Sequence, residues 1–358
     1  MENTLNWYFS LNNVEGANDR ILQFMDRLAL PEIYRHADGL LHTSSDGAKF
    51  EVAVDSLHAA YSFKYFGQEK GVSACTFIDM RHFLFHSLII SAAEKEAAFV
   101  IDGLMHNDVV KSDIHSTDTG GYSEVVFGAM HLLGFSFAPR IKDFGSQQLY
   151  AFRKRKWYKD LDYKILPDGY PNASLILEQW DDILRFIATI KLKETTASQL
   201  FRRLNSYSKQ HPLYRALKEF GKIPKSLFLL RYTDTLALRQ AIEKQLNKGE
   251  NAQKFSRAIS FGNNQEFLHG EKMEQAIAEA CRRLIKNTII CWNYLYLTQK
   301  IVDAKSEEER KELLAAIRAG SVVAWQHINL HGEYDFSEER LQDSVGLEAE
   351  KILAVKCL

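Results

Sequence analysis

The chain has 358 residues, more than the ~100–200 of one ordinary core, so two domains or one domain with a large insertion are expected. Hydrophobic residues at 46% and charged residues at 25% give the balance of a globular protein and exclude a disordered one. A formal net charge of −1 excludes a protein that coats nucleic acid by bulk electrostatics, because neutralising phosphates takes clustered Lys and Arg.

Between 12 and 30 the apolar residues Ile21, Leu22, Phe24, Met25 and Leu28 recur at helical spacing until Pro31, which predicts a lead-in helix. Short runs at 39–44, 49–54 and 72–78 are separated by Asp46-Gly47 and by 67–71, so three strands in meander order are predicted. Over 82–105, Leu84, Leu88, Ala92, Ala97, Phe99, Ile101 and Leu104 fit a helix that closes near Gly103. A fourth strand at 111–117, a helix at 122–133 ended by Gly134 and a fifth strand at 135–141 follow. Three strands, helix, strand, helix, strand is the order of a ribonuclease H-like α/β fold, a mixed five-stranded sheet flanked by helices.

Helical periods at 174–190, 197–207 and 213–220, bounded by Pro167, Pro171, Pro212 and Pro224, predict an inserted helical subdomain. A helix over 228–246 is expected to weaken at Asn247-Lys248-Gly249 and resume at 251–259. A long helix at 273–301, expected to pack on the sheet, and a charged helix at 306–319 complete the pattern, with a short final helix in the tail. The resulting division is a lead-in at 1–36, a first core segment at 37–150, the insertion at 151–224, a second core segment at 225–305, and a C-terminal helix and tail at 306–358. Cys75, Cys281, Cys291 and Cys357 lack CxxC spacing, and no leader or ~18-residue apolar span is seen, so a reduced cytoplasmic protein without membrane contact is expected.

Two acids close β-prone runs, Asp46 in His-Thr-Ser-Ser-Asp-Gly and Asp118 in Ser-Thr-Asp-Thr-Gly-Gly-Tyr, and Glu250 follows in Gln-Leu-Asn-Lys-Gly-Glu. The roughly 70 residues between the aspartates suit two strands, a helix and a return strand, whereas the roughly 130 from Asp118 to Glu250 leave about 90 for the insertion. Hard divalent cations take oxygen ligands, and two such ions ~3.5–4 Å apart can serve both the attacking and the leaving oxygen of a phosphodiester. An acid at the centre of the first strand, one at the end of its neighbour and one on a facing helix have the placements this chemistry needs. Singly, each reads otherwise: Asp46-Gly47 as a hairpin turn, Asp118-Thr119 as a helix start, and Glu250 as a surface partner of Lys254. Glu266, in Gly-Asn-Asn-Gln-Glu-Phe, is the rival third ligand.

Arg153, Lys154, Arg155 and Lys156 precede Trp157-Tyr158-Lys159, cations beside rings that can stack on unpaired bases, or else a solvated basic loop. Lys248, Lys254 and Arg257 flank Glu250 and are candidates for holding strand phosphates. His82 and His86, four apart on the expected helix behind Asp79, have a zinc-compatible spacing without the Glu of a protease site. His115 and Ser116 either contact substrate or satisfy the strand edge.

These residues resemble those of the Tn-three family of bacterial transposases, enzymes of replicative transposons. The likeness rests on His-Thr-Ser-Ser-Asp-Gly at 42–47, Val-Ile-Asp-Gly-Leu at 100–104, Ser-Thr-Asp-Thr-Gly-Gly-Tyr at 116–122 and His-Leu-Leu-Gly-Phe-Ser-Phe-Ala-Pro-Arg-Ile at 131–141. Leu-Phe-Leu-Leu-Arg-Tyr at 227–232, Gln-Leu-Asn-Lys-Gly-Glu at 245–250 and Trp-Gln-His-Ile-Asn-Leu at 325–330 extend it over nearly the whole chain. The resemblance implies a ribonuclease H-like catalytic domain with a helical insertion and a DDE triad of Asp46, Asp118 and Glu250. It also implies two Mg²⁺ ions, replaceable by Mn²⁺, and 3′-end cleavage and strand transfer on DNA by a nucleoid-associated homodimer. Family members are longer and carry end-binding domains ahead of this region, so a truncated catalytic fragment is expected. The alternative is a silent DNA-binding or multimerising remnant.

Overall fold

Asp46 and Gly47, expected to turn the chain between two strands, lie inside one ten-residue strand, β1 (His42–Glu51). The computed structural model describes all residues except 1, 37, 106, 108, 207–210, 336, 338, 340–346 and 356–358. Tyr207, expected to end a helix, and Cys357 are outside the described residues. Helices α1 (Glu2–Tyr8) and α2 (Leu11–Met25) precede β1, the second matching the predicted lead-in. Short β2 (Ala60–Tyr61) and α3 (Phe63–Phe66) come next, then β3 (Lys70–Asp79) and β4 (Leu84–Ser91).

Strand β4 replaces the first half of the helix expected over 82–105. Leu84 and Leu88 satisfy a helical period by coincidence, but the run Leu84-Phe85-His86-Ser87-Leu88-Ile89-Ile90 is rich in β-formers. It pairs antiparallel with β3, from Val72 opposite Ser91 to Ile78 opposite Leu84. Only α4 (Glu96–Met105) is helical in that stretch. Then β5 (Ile114–Thr117), α5 (Glu124–Leu133) and β6 (Ser136–Phe137) form where a strand, a helix and a strand are predicted, both strands shorter than expected. Ser123 accepts a hydrogen bond from the Val126 N–H at the start of α5, and Gly134 ends that helix in the left-handed region at φ 94°.

The region of the predicted insertion contains α6 (Arg155–Asp160), α7 (Ala173–Glu178), α8 (Trp180–Lys191), α9 (Ala197–Ser206) and the start of α10 (Pro212–Asp234). Pro224, expected to bound a helix, lies inside α10. Asn247-Lys248-Gly249 likewise fails to interrupt α11 (Leu236–Ile259), so Glu250 is in mid-helix. The rest is α12 (Lys272–Val302), α13 (Glu307–Ala319), capped by Ser306, and α14 (Ala349–Ala354).

The sheet has six strands, one more than expected, in the hydrogen-bonded order β2-β3-β1-β5-β6 with β4 also on β3. β1 with β5 and β5 with β6 are parallel pairs. By contact, the chain divides into one unit of 1–41, 47–93 and 248–358 and another of 42–46 and 94–247.

In the first unit, Ala48, Phe50, Val72, Ala74, Ile89 and Phe267 form an apolar core. Helix α12 packs against α2 and β4, as predicted for a helix on the sheet. Asn287 of α12 donates to the Leu84 carbonyl (3.0 Å) and to Asn18 Oδ1 of α2 (3.0 Å), which satisfies polar groups that burial would otherwise strand. The β3–β4 turn is held by buried Asp79, whose Oδ1 accepts from the N–H groups of Arg81 (2.8 Å) and Phe83 (2.9 Å).

In the second unit, α5 crosses α10 closely enough that a Cβ on Gly221 would lie 1.6 Å from the Glu124 carbonyl oxygen. A Cβ on Gly128 would meet Leu217 O at 3.1 Å. Lys225 Nζ reaches Glu124 Oε1 at 2.8 Å across this crossing. Asp102 of α4 accepts from the Ser198 N–H at 3.2 Å, tying α4 to the start of α9. Cys75, Cys281 and Cys291 form no disulfide. Among the described residues no helix is long and apolar enough to cross a membrane.

Candidate active site

Parallel pairing of β1 with β5 sets His42 opposite Ile114, Thr43 opposite His115, Ser44 opposite Ser116 and Ser45 opposite Thr117. The ladder ends there, and each strand's next residue is an aspartate, Asp46 still within β1 and Asp118 just past the end of β5. Most of the residues leading to this pair are buried and polar, and they find partners except at Thr117, whose buried Oγ1 has no hydrogen-bond partner among the described residues. On one face, Ser116 Oγ donates to the Ala138 carbonyl (2.6 Å), so it accepts from His42 Nε2 at 2.8 Å. On the same face Ser44 Oγ donates to the Gln245 carbonyl of α11 at 3.2 Å. On the opposite face His115 spans β1, with Nδ1 2.8 Å from Thr43 Oγ1 and Nε2 3.0 Å from Ser45 Oγ. Burial, and secondarily the charge of His42, pull His115 down to about 3, so it is a neutral strut at ordinary pH.

Arg140 forms the charged edge of the site. Its N–H donates to the Thr117 carbonyl (2.9 Å), continuing the β5–β6 ladder past Phe137. The guanidinium then meets Asp118 Oδ1 through Nε (3.0 Å) and Nη2 (2.8 Å), and Nη1 lies 3.4 Å from Glu243 Oε1 of α11. Burial alone would lower the Arg140 pKa, but the Asp118 and Glu243 carboxylates raise it further, so it remains a fixed cation. Neither Arg140 nor Glu243 is singled out by sequence pattern alone. The signal that could have found them is Arg140 closing the motif at 131–141, with Glu243 one helical turn before the buried Leu246.

On α11, Gln245, Leu246 and Lys248 are buried, while Glu243, Glu250, Lys254 and Arg257 are exposed. Lys248, expected on the surface beside Glu250, instead points inward. Its Nζ donates to the Met80 carbonyl and lies 5.5 Å from the centre of the Tyr34 ring. The physical reason is the uninterrupted helix, which turns residue 248 to the same face as Ala252 and Phe255. Glu266 is partly buried at the far end of β1, next to Phe267, which bridges to Val52.

His82 and His86 share no helix, which corrects the zinc-type spacing. His82 is in the β3–β4 turn at φ 66°, and His86 is on β4 opposite Phe77. Nearby Asp79 is raised by burial and lowered by Arg81, whose Nε is 2.9 Å from Oδ2. Arg153, Lys154, Arg155 and Lys156 are exposed and lead into α6, so the basic run begins a helix and is not wholly a loop. Arg153 lies 5.9 Å from the Trp157 ring, which stacks on Tyr163 at 6.5 Å.

Among the described residues no group of three or more His, Cys, Asp or Glu side chains is placed to hold a metal ion. Arg140 engages Asp118 Oδ1, but the carboxylates of Asp46 and Asp118 are hard-oxygen donors. That suits Mg²⁺, which is ordinarily bound through one or two carboxylates plus substrate phosphates and water.

Residues 1–334 match the family model described as Tn3 transposase DDE domain. The chain belongs to that family. It is 34% identical over 342 residues to the transposase for transposon Tn1546 of Enterococcus faecium, covering 95% of this chain and 34% of the relative. It is also 34% identical over 317 residues to the transposase for transposon Tn501 of Pseudomonas aeruginosa, covering 86% of this chain and 31% of the relative. For the transposase of transposon gamma-delta from Escherichia coli (strain K12) the figures are 30% over 333 residues, 92% and 32%. The chain thus spans about a third of the length of these relatives.

Proposed function

We propose that the chain is the catalytic part of a DNA transposase with a ribonuclease H-like core, cleaving transposon 3′ ends and joining them to target DNA. The observation that supports this reading is the β1–β5 register, which pairs Ser45 with Thr117, the residues just before two aspartates separated by roughly 70 residues of chain. Support for the fold comes from the strand order, with a β3–β4 antiparallel hairpin on one side of β1 and parallel β5 and β6 on the other.

Asp46, Asp118 and Glu250 would hold two Mg²⁺ ions, or Mn²⁺ in their place, which when bound neutralise charge on the attacking and leaving oxygens. Arg140 orients the Asp118 carboxylate by binding Oδ1 twice, and Glu243 steadies the guanidinium from its other side. Exposed Lys254 and Arg257 follow Glu250 at four and seven residues, on its side of α11, and are assigned to strand phosphates. Arg153, Lys154, Arg155 and Lys156, next to Trp157, are assigned to DNA outside the cleavage centre. Lys248 is left out because it is buried. The working form is a homodimer, one protomer for each transposon end.

The test is incubation of the purified chain with supercoiled DNA carrying transposon ends and Mg²⁺ or Mn²⁺. Nicks at the 3′ ends and joined products are expected, lost in Asp46→Asn at unchanged circular dichroism. Equal nicking by both proteins removes the assignment. Nicking by neither favours a silent remnant.

A further inference from the structure

Two residues beyond Asp118, Gly120 opens onto a cleft of about 1160 Å³ enclosed by the second unit alone. Its walls come from α4, the start of α5, α9 and the start of α10, and the cations Lys95, Arg202, Arg215 and Lys218 reach into it. The acids on its lining, Glu94 and Glu219, already have partners: Glu94 pairs with Arg202, and Glu219 with Lys222 at 2.6 Å. Arg215 and Lys218, exposed and one turn apart on α10, make no ion pair among the described residues. Half-buried Tyr122 and Tyr214 give the same lining two aromatic rings. Burial raises both phenols, so they are neutral.

We infer that this cleft binds an unpaired DNA strand leading away from the scissile phosphate, with Arg215 and Lys218 on its phosphates and Tyr122 and Tyr214 against its bases. Charge complementarity selects a polyanion, and rings recessed in a cleft select exposed base faces, which a duplex keeps stacked inside. The volume exceeds the ~300–1,000 Å³ of ordinary small-molecule pockets, which favours a stretch of polymer over a single nucleotide. After Asp118 the chain turns, with the Gly121 N–H donating to the Asp118 carbonyl at 3.0 Å, and Gly120 in that turn lines the cleft. A Cβ on Gly121 would press on Thr117 at 2.9 Å, so that path needs glycine. The inference rests on the transposase reading for its substrate, but it is tested by binding and not by cleavage.

The probe is a fluorescein-labelled oligothymidylate, titrated with the full chain in EDTA and followed by anisotropy against a duplex of equal length. Arg215→Ala with Lys218→Ala should weaken single-strand binding about tenfold or more. It should also lower the slope of log affinity on log salt by about 1.4, because each phosphate neutralised on a single strand contributes ~0.7. Duplex binding should be unchanged. Independently, 4-thiothymidine in the oligonucleotide should photocrosslink to the Tyr122 or Tyr214 peptide of the wild-type chain. Unaltered single-strand affinity in the double variant overturns the inference, as do crosslinks confined to α6 or no binding by the wild type. A chain that binds the oligonucleotide through this cleft yet never nicks transposon ends would defeat the transposase reading alone.

Discussion

His115 shows how a single side chain near the site sets a solution property. Its ordinary value is about 6.5, and burial in the fold, with a smaller effect from His42, pulls it down to about 3. Between those values the unfolded chain binds a proton that the native chain refuses, so this group's contribution to stability is lost as pH falls below about 6.5. The slope should reach about 1.4 kcal/mol per pH unit. Urea unfolding at several pH values from 7.5 to 5 should show that decline, and His115→Gln should flatten it. Identical slopes would mean that other groups carry the effect. Arg140 gives a contrasting prediction, because a third of its side chain and half of that of Asp118 are exposed. Arg140→Ala should change stability by no more than ~1 kcal/mol while impairing cleavage, since its ion pairs orient the carboxylate without holding the fold together. Loss of folding in that variant, seen by circular dichroism, would contradict this division.

At the scale of elements, the α5–α10 crossing depends on two glycines. Gly221→Ala has no room beside the Glu124 carbonyl, so the helices must separate, at a cost of about 1–3 kcal/mol or more. A lower urea midpoint at unchanged m-value would report it. Helix α11 separates two lysines that look alike in sequence. Lys248→Ala should destabilise by about 1–3 kcal/mol by leaving buried groups unpartnered. Lys254→Ala should leave stability within ~0.5 kcal/mol, yet lower DNA affinity with a salt slope reduced by about 1. The same elements show what sequence patterning can carry. Gly134 at the end of α5 and the long apolar stripe of α12 are local signals and were legible. The Asp46-Gly47 pair and the Asn247-Lys248-Gly249 run are turn-like or helix-weakening locally, but cross-strand pairing and burial of Gln245, Leu246 and Lys248 override them. For β4 the failure was different, since its four-residue leucine spacing fits either period until β3 is there to pair with.

Over the whole molecule, the parallel return of β5 beside β1 was legible from the length of chain between the two aspartate motifs, because strand counts fix how much chain a return to the neighbouring strand requires. The ion-pair chain from Asp118 through Arg140 to Glu243 was not, because it depends on the β6 register and on the side of α11 that meets it. Family membership extends to residue 334, whereas the relatives are about three times as long. The decisive question is therefore what this length of chain does with DNA. The most direct measurement is the Mg²⁺-dependent nicking rate on transposon-end DNA for the wild type, Asp46→Asn and Asp118→Asn, each verified as folded. The account predicts cleavage by the wild type, abolished in both variants and restored in neither by Mn²⁺. Cleavage at the wild-type rate by either variant would contradict it.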